Sequence, residues 1–174
     1  MQIQELSGSS CMEMRHEQVL QFLKQHDLGV LCTTCEDGTP QGAIVEILPT
    51  DKMELIFATH KESRKYKNLS RQKTIAFVVG SYEEISVQFE GICEEIAHDA
   101  EEYALYAQHL ASKMRSNYFP VVDENDFALF RATPTWIRYS DVGQKPWDVA
   151  EMDFLLPEES EKKDRKYIFP FSFS

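Results

Sequence analysis

Thr59, Ser63, Arg64 and Lys65 are the residues of this chain whose types and spacing best suit chemistry, and that chemistry is the holding of a phosphate group. An apolar strand-like run, Met53 to Thr59, ends where a basic helix opens at Ser63. Such a junction offers a hydroxyl, unsatisfied backbone N–H groups and the positive end of a helix dipole, all pointing one way. Arg64 adds a planar fork and Lys65 a mobile point charge. The whole chain has a net charge of -11, so a local cationic cluster stands out against its background. An ordinary N-cap at Ser63 followed by solvated charges is the plainer reading of the same residues. His60, beside the junction, is a secondary candidate that could bond an anion or simply face solvent.

Other reactive side chains have weaker claims. Cys32 and Cys35 form a CxxC, but LGVLCTTC reads as a strand, which points residues three apart to opposite faces. No second CxxC or HxxxH completes a tetrahedral metal set, so Cys11, Cys32, Cys35 and Cys93 are expected to be buried structural cysteines rather than a disulfide or zinc framework. Glu46 and Glu90 fall on strand-like runs without an identifiable partner, and no Ser-His-Asp or paired-carboxylate spacing anchors a hydrolase. Trp136, Arg138 and Trp147 could stack on a planar ligand or line a substrate mouth, although tryptophan in a small barrel more often serves the core or an interface.

The elements that must position these groups follow from periodicity. Residues 1 to 11 read as a loose, disordered tail, and Val19, Phe22, Leu23 and His26 mark a helix from about Glu13 to His26. Leu28 to Cys35 and Gln41 to Leu48 are expected to pair as a hairpin around Asp37-Gly38. Met53 to Thr59 and Thr74 to Gly80 are further strands, and Glu84 to Ala97 is long enough to be a strand bent or bulged at Gly91. Asp99 with Glu102 resembles a capping box for a helix whose face carries Tyr103, Ala107, Leu110 and Met114. Phe127 to Ala132 and Thr135 to Tyr139 are expected as two short strands around Pro134. Six or seven closely spaced strands with few helices predict a mainly β fold, a closed or split antiparallel barrel with flanking helices.

The order of hairpin, strand ending in Thr, helix opening Ser-Arg-Lys, apolar strand and long strand ending Phe89-Glu90-Gly91 resembles the FMN-binding split barrels related to pyridoxamine 5′-phosphate oxidase. The resemblance covers about residues 14 to 139 and is most specific from Ala43 to Gly91. It implies FMN as the cofactor, with its isoalloxazine along the backbone of Ala43, Ile44, Val45, Glu46, Ile47 and Leu48. Ala58, Thr59, Ser63, Arg64 and Lys65 match the residues that hold the FMN phosphate. It also implies a homodimer with FMN at the subunit interface.

The chain departs from the vitamin B6 oxidases of that family in four places. Ala43 and Leu48 stand where those enzymes have Arg and Lys, and Ser86 where they have Gln, a role that Gln88 on the same strand face could take. Gly143-Gln144-Lys145-Pro146-Trp147 replaces their Arg-Leu-His signature. The expected activity is therefore oxidation or reduction of a small organic substrate or nicotinamide donor rather than of a phosphorylated vitamin, with Trp136 at the flavin edge. A non-catalytic flavin- or haem-binding module is the alternative. Haem-handling relatives lean on a histidine near the C-terminus, and none follows His109 here.

Composition sets the outer bounds. A chain of 174 residues with 43% hydrophobic content suits one domain, expected over residues 12 to 142, with an extension over 143 to 174 that packs on the barrel or on a partner subunit. The charge run Glu158 to Lys166 reads as solvated, and the aromatic tail Tyr167 to Ser174 as a docked segment. A pI near 4.9 argues against nucleic-acid and anionic-membrane partners and against the polyglutamate tail of a deazaflavin. With no leader-like or membrane-spanning stretch, the expected location is cytoplasmic.

Overall fold

The computed structural model of the chain describes residues 8–80, 84–113 and 126–154. Met114, the charge run and the aromatic tail lie outside the described residues. Helix α1 (Gly8–Lys24) is followed by strands β1 (Leu28–Thr34), β2 (Pro40–Glu46), β3 (Leu48–Pro49) and β4 (Leu55–His60), then helix α2 (Arg64–Leu69). Strands β5 (Thr74–Gly80) and β6 (Ile85–Glu95), helix α3 (Glu101–Lys113) and strands β7 (Phe127–Asp141) and β8 (Asp148–Asp153) complete the order.

All eight strands belong to one antiparallel sheet, ordered β2-β1-β5-β6-β7-β4-β3, with β8 on β7. Its two ends, β2 and β3, are separated in the chain by Ile47 alone. The sheet must therefore curl until its edges meet, which makes the split barrel that the strand count and the family resemblance predict. Inside it Phe57 stacks on Phe130 with ring centroids 5.6 Å apart and meets Phe77 edge-on at 5.6 Å. Val19, Phe22 and Leu23 bring the apolar face of α1 into the same core.

Several boundaries differ from the sequence expectation for local reasons. Strand β4 begins at Leu55, because Met53 sits in the left-handed region at φ 60 within a turn where Thr50 Oγ1 accepts from the N–H groups of Lys52 and Glu54. The two short strands expected around Pro134 are one continuous strand, β7. Its proline is accommodated where the β6–β7 register shifts between Glu90 and Gly91: the irregularity falls at Gly91 as expected, but the extra residue is Thr135, so β7 and not β6 is the bulged strand. Strand β8 had no sequence signal strong enough to predict it. Glu102 forms an ion pair with Arg131 of β7, tying α3 to the sheet, rather than serving only the end of its own helix.

Helix α3 covers the outer face of β4 and β7 through Tyr106, which packs with Ile56, Leu129 and Ile96. This second layer explains why Leu55, Ile56 and Phe57 are buried in succession: one face of β4 meets the barrel core and the other meets α3. Among the described residues no helix is long and apolar enough to cross a membrane.

Candidate functional site

The strand-to-helix junction forms as its residue types suggest. Ser63 caps α2 with extended backbone angles, and its Oγ accepts from Tyr66 N–H at 3.2 Å. The same Oγ lies 2.8 Å from Thr59 Oγ1, so the two hydroxyls form one bonded pair at the tip of β4. Asn68 fixes the far side of α2, donating to Thr33 Oγ1 at 3.0 Å and Gln41 Oε1 at 2.9 Å. That anchor holds α2 against the β1–β2 hairpin, and no sequence periodicity announced it.

A pocket of about 280 Å³ opens beside this junction, lined by Ile44, Val45 and Glu46 of β2, Ala58, Thr59 and His60 of β4, Lys65 of α2, and Tyr106, Leu110 and Phe127. It lies at the seam of the barrel. Strand β2 ends the sheet, so one side of its backbone faces no partner strand and borders the pocket instead. Val45 directs its side chain to the core, so it meets the pocket through its backbone.

The structure thus brings together seven of the residues singled out from sequence: Ile44, Val45, Glu46, Ala58, Thr59, Lys65 and the secondary candidate His60. It sends others elsewhere. Ile47 is buried in the core and Leu48 packs on the α3 cluster. Arg64 turns away from Lys65, with its guanidinium 3.5 Å from Cys35 Sγ, because neighbouring helical residues point about 100° apart. Gln88 and Trp136 lie on the outer sheet face. Ile44, Val30, Val78, Gln88 and Arg138 form one cross-strand row, which puts Gln88 three strand spacings, about 14 Å, from Ile44. Trp147 is exposed in the segment between β7 and β8.

Tyr106, Leu110 and Phe127 also line the pocket; Leu110 was read only as part of a helix face, Phe127 only as a strand start, and Tyr106 was not singled out. Tyr106 is the most consequential. Ala58 N–H donates to its Oη at 3.2 Å, and its hydroxyl lies 3.4 Å from the Glu46 carbonyl to which it donates, so one phenol bridges β2 and β4 where the sheet does not. Burial pushes its ionisation well above the ordinary tyrosine range, so it remains a neutral phenol. Tyr106→Phe is expected to cost about 1–2 kcal/mol of stability, since Ala58 N–H loses its partner in a largely buried setting. Urea unfolding of the two proteins measures this, and an unchanged midpoint contradicts the bridge.

The cysteines do not furnish a nucleophile at this site. Burial, with the Glu94 carboxylate adding to it, pushes the Cys93 thiol up to about 12. Cys32 and Cys35 are half-buried free thiols rather than fully buried ones, because Cys32 faces outward on β1 and Cys35 stands past its end. Among the described residues no group of three His, Cys, Asp or Glu side chains could hold a metal ion. Lys65 and Glu46 give the pocket one permanent cation and one carboxylate, enough to orient a polar ligand along it.

The sequence model of the family described as pyridoxamine 5′-phosphate oxidase matches residues 16–141. No curated protein matches the sequence significantly. General stress protein 26 of Bacillus anthracis superposes with a TM-score of 0.60 at 18% identity, over 80% of this chain and 98% of that one. A pyridoxamine 5′-phosphate oxidase-related, FMN-binding protein of Nostoc punctiforme gives 0.53 at 12% identity, over 87% of this chain and 99% of that one. A haem-binding protein of Mycobacterium smegmatis gives 0.62 at 20% identity, over 78% of this chain and 57% of that longer one. These identities establish a shared fold.

Proposed function

The chain belongs to the pyridoxamine 5′-phosphate oxidase family, and on that premise we propose that it binds FMN at the barrel seam and acts as an FMN-dependent oxidoreductase on a small organic substrate or a nicotinamide donor. The observation that carries this reading is the single pocket shared by the edge backbone of Ile44 to Glu46, the tip of β4 and Lys65. The residues present fit the group: Lys65 and the Thr59 and Ser63 hydroxyls suit a phosphate, and the outer edge of β2, which no strand covers, suits a flat ring with donors and acceptors along one side. Bound FMN supplies hydride or electron transfer, while the protein contributes position and electrostatics. Ala43 and Leu48 leave a phosphorylated vitamin without the cations it needs, so the substrate is not a vitamin B6 phosphate.

The second part of the proposal is a homodimer. Ile44, Leu28, Val78 and Val30 are 70%, 57%, 43% and 39% exposed and form a contiguous apolar area on the outer face, reaching the pocket at Ile44. A second copy seated there covers that surface and closes the open side of the pocket. The same packing brings Gln88 and Trp136, too distant within one chain, opposite a pocket of the other subunit.

The purified protein is expected to release FMN on denaturation, to sediment as a dimer, and to have its flavin bleached anaerobically by at least one nicotinamide or small organic donor. A colourless protein that does not take up added FMN defeats the cofactor assignment, and a haem absorbance in its place favours the haem-binding module. A purely monomeric species of 20.2 kDa defeats the dimer. Bleaching by none of the donors leaves a flavin-binding module without turnover.

A further inference from the structure

A second cavity, of about 350 Å³, adjoins the first and shares Ala58, Tyr106 and Phe127 with it. It lies between α3 and the paired strands β4 and β7, well away from Trp136 and Trp147. Five alanines, Ala58, Ala100, Ala104, Ala107 and Ala128, keep it open, since each stops at Cβ where a larger residue would fill the space.

The aromatic lining determines what it can hold. Leu129 N–H donates to Tyr103 Oη at 3.3 Å, and the Tyr106 hydroxyl is committed to Ala58 and Glu46. With both phenolic ends tied to strand backbone, the two tyrosines have ring surface rather than polar tips left to offer. Phe127 adds a third ring, held edge-on to His60 with centroids 5.2 Å apart. His98, stacked on Tyr103 at 5.0 Å, gives the wall one polar and titratable handle other than the tyrosines. Asp, Glu, Lys and Arg are all absent from the lining.

We infer that this cavity is a binding site for an uncharged, planar aromatic molecule of about two fused rings. Ring faces and methyl groups reward flat apolar surface, whereas an ion entering among them loses hydration with no opposite charge to replace it. The shared wall of Ala58, Tyr106 and Phe127 places such a molecule beside the seam pocket. The site is nevertheless built by this chain alone and does not depend on FMN being the occupant next door.

The test uses the full-length protein and 2-naphthol as the probe, followed by its own fluorescence, with naphthalene-2-sulfonate and 1-methylquinolinium as charged comparators of similar shape. Saturable 2-naphthol binding is expected, with each ion bound at least tenfold more weakly. Ala104→Trp and Ala107→Phe, at exposed positions of α3, are each expected to weaken 2-naphthol at least tenfold by filling the cavity, while circular dichroism and the thermal midpoint show the fold intact. FMN uptake is measured on the same samples. Loss of 2-naphthol binding with FMN uptake unchanged supports a separate site, and saturable cavity-sensitive binding in a protein that takes up no FMN separates this inference from the flavin reading. Binding that does not saturate, that both filled variants retain, or that either ion matches overturns it.

Discussion

Lys65→Glu is expected to weaken FMN binding by about a hundredfold or more, an effect of roughly 3 kcal/mol. Lys65 is the permanent cation lining the seam pocket, and the substitution both removes a charge-assisted hydrogen bond worth about 1.5–3 kcal/mol and sets a carboxylate against the phosphate. The control is Lys67→Glu on the same helix. It makes an identical change in net charge at an exposed position outside the pocket lining, so it should alter affinity by no more than about threefold, and less as salt rises. Arg64→Ala should fall between the two, because its guanidinium turns toward Cys35. Fluorescence titration with FMN reads all three. Equal losses from Lys65→Glu and Lys67→Glu would mean that the phosphate responds to the general field and not to this pocket.

Gly91→Ala should destabilise the fold by about 3 kcal/mol, at the upper end of overpacking costs. A Cβ at Gly91 would stand 2.4 Å from the backbone oxygen of Thr133 and 2.6 Å from Phe89 Cε1. A carbonyl in the β6–β7 ladder cannot swing aside as a side-chain tip can, so the two longest strands would have to separate at their bulge. Gly42→Ala is the companion substitution: its nearest neighbour would be Val30 Cγ1 at 3.6 Å, an ordinary contact, and its effect should stay within about 0.5 kcal/mol. Urea denaturation measures both, with the slope unchanged and the midpoint lowered only for Gly91→Ala. A Gly91→Ala protein as stable as the parent would show that the bulge relaxes at little cost.

The sequence by itself determined what depends on near neighbours in the chain. Alternation in TIAFVVG, the Asp37-Gly38 reversal and the Ser63 cap fixed strands, hairpin and helix start, because period, turn chemistry and capping act over a few residues. Gly91 marked the bulge for the same reason. The Thr-to-Ser-Arg-Lys spacing located one wall of the seam pocket, since Thr59 and Lys65 lie within a single strand-to-helix step. What only the tertiary structure decided is what depends on how distant segments close upon one another. Pro134 ended a strand in the sequence reading and lies inside one in the fold, because β7 itself carries the extra residue, Thr135, beside it and runs on past the irregularity. Tyr106 fell off the helix face read from the sequence, yet its hydroxyl bridges Ala58 and Glu46, which are 48 and 60 residues away. Local patterns record which face of an element is apolar, but they do not record what that face meets. The second wall of the seam pocket and the cavity beside it exist only because curling of the sheet brings β2 near β4 and α3 then packs across the outside of β4 and β7.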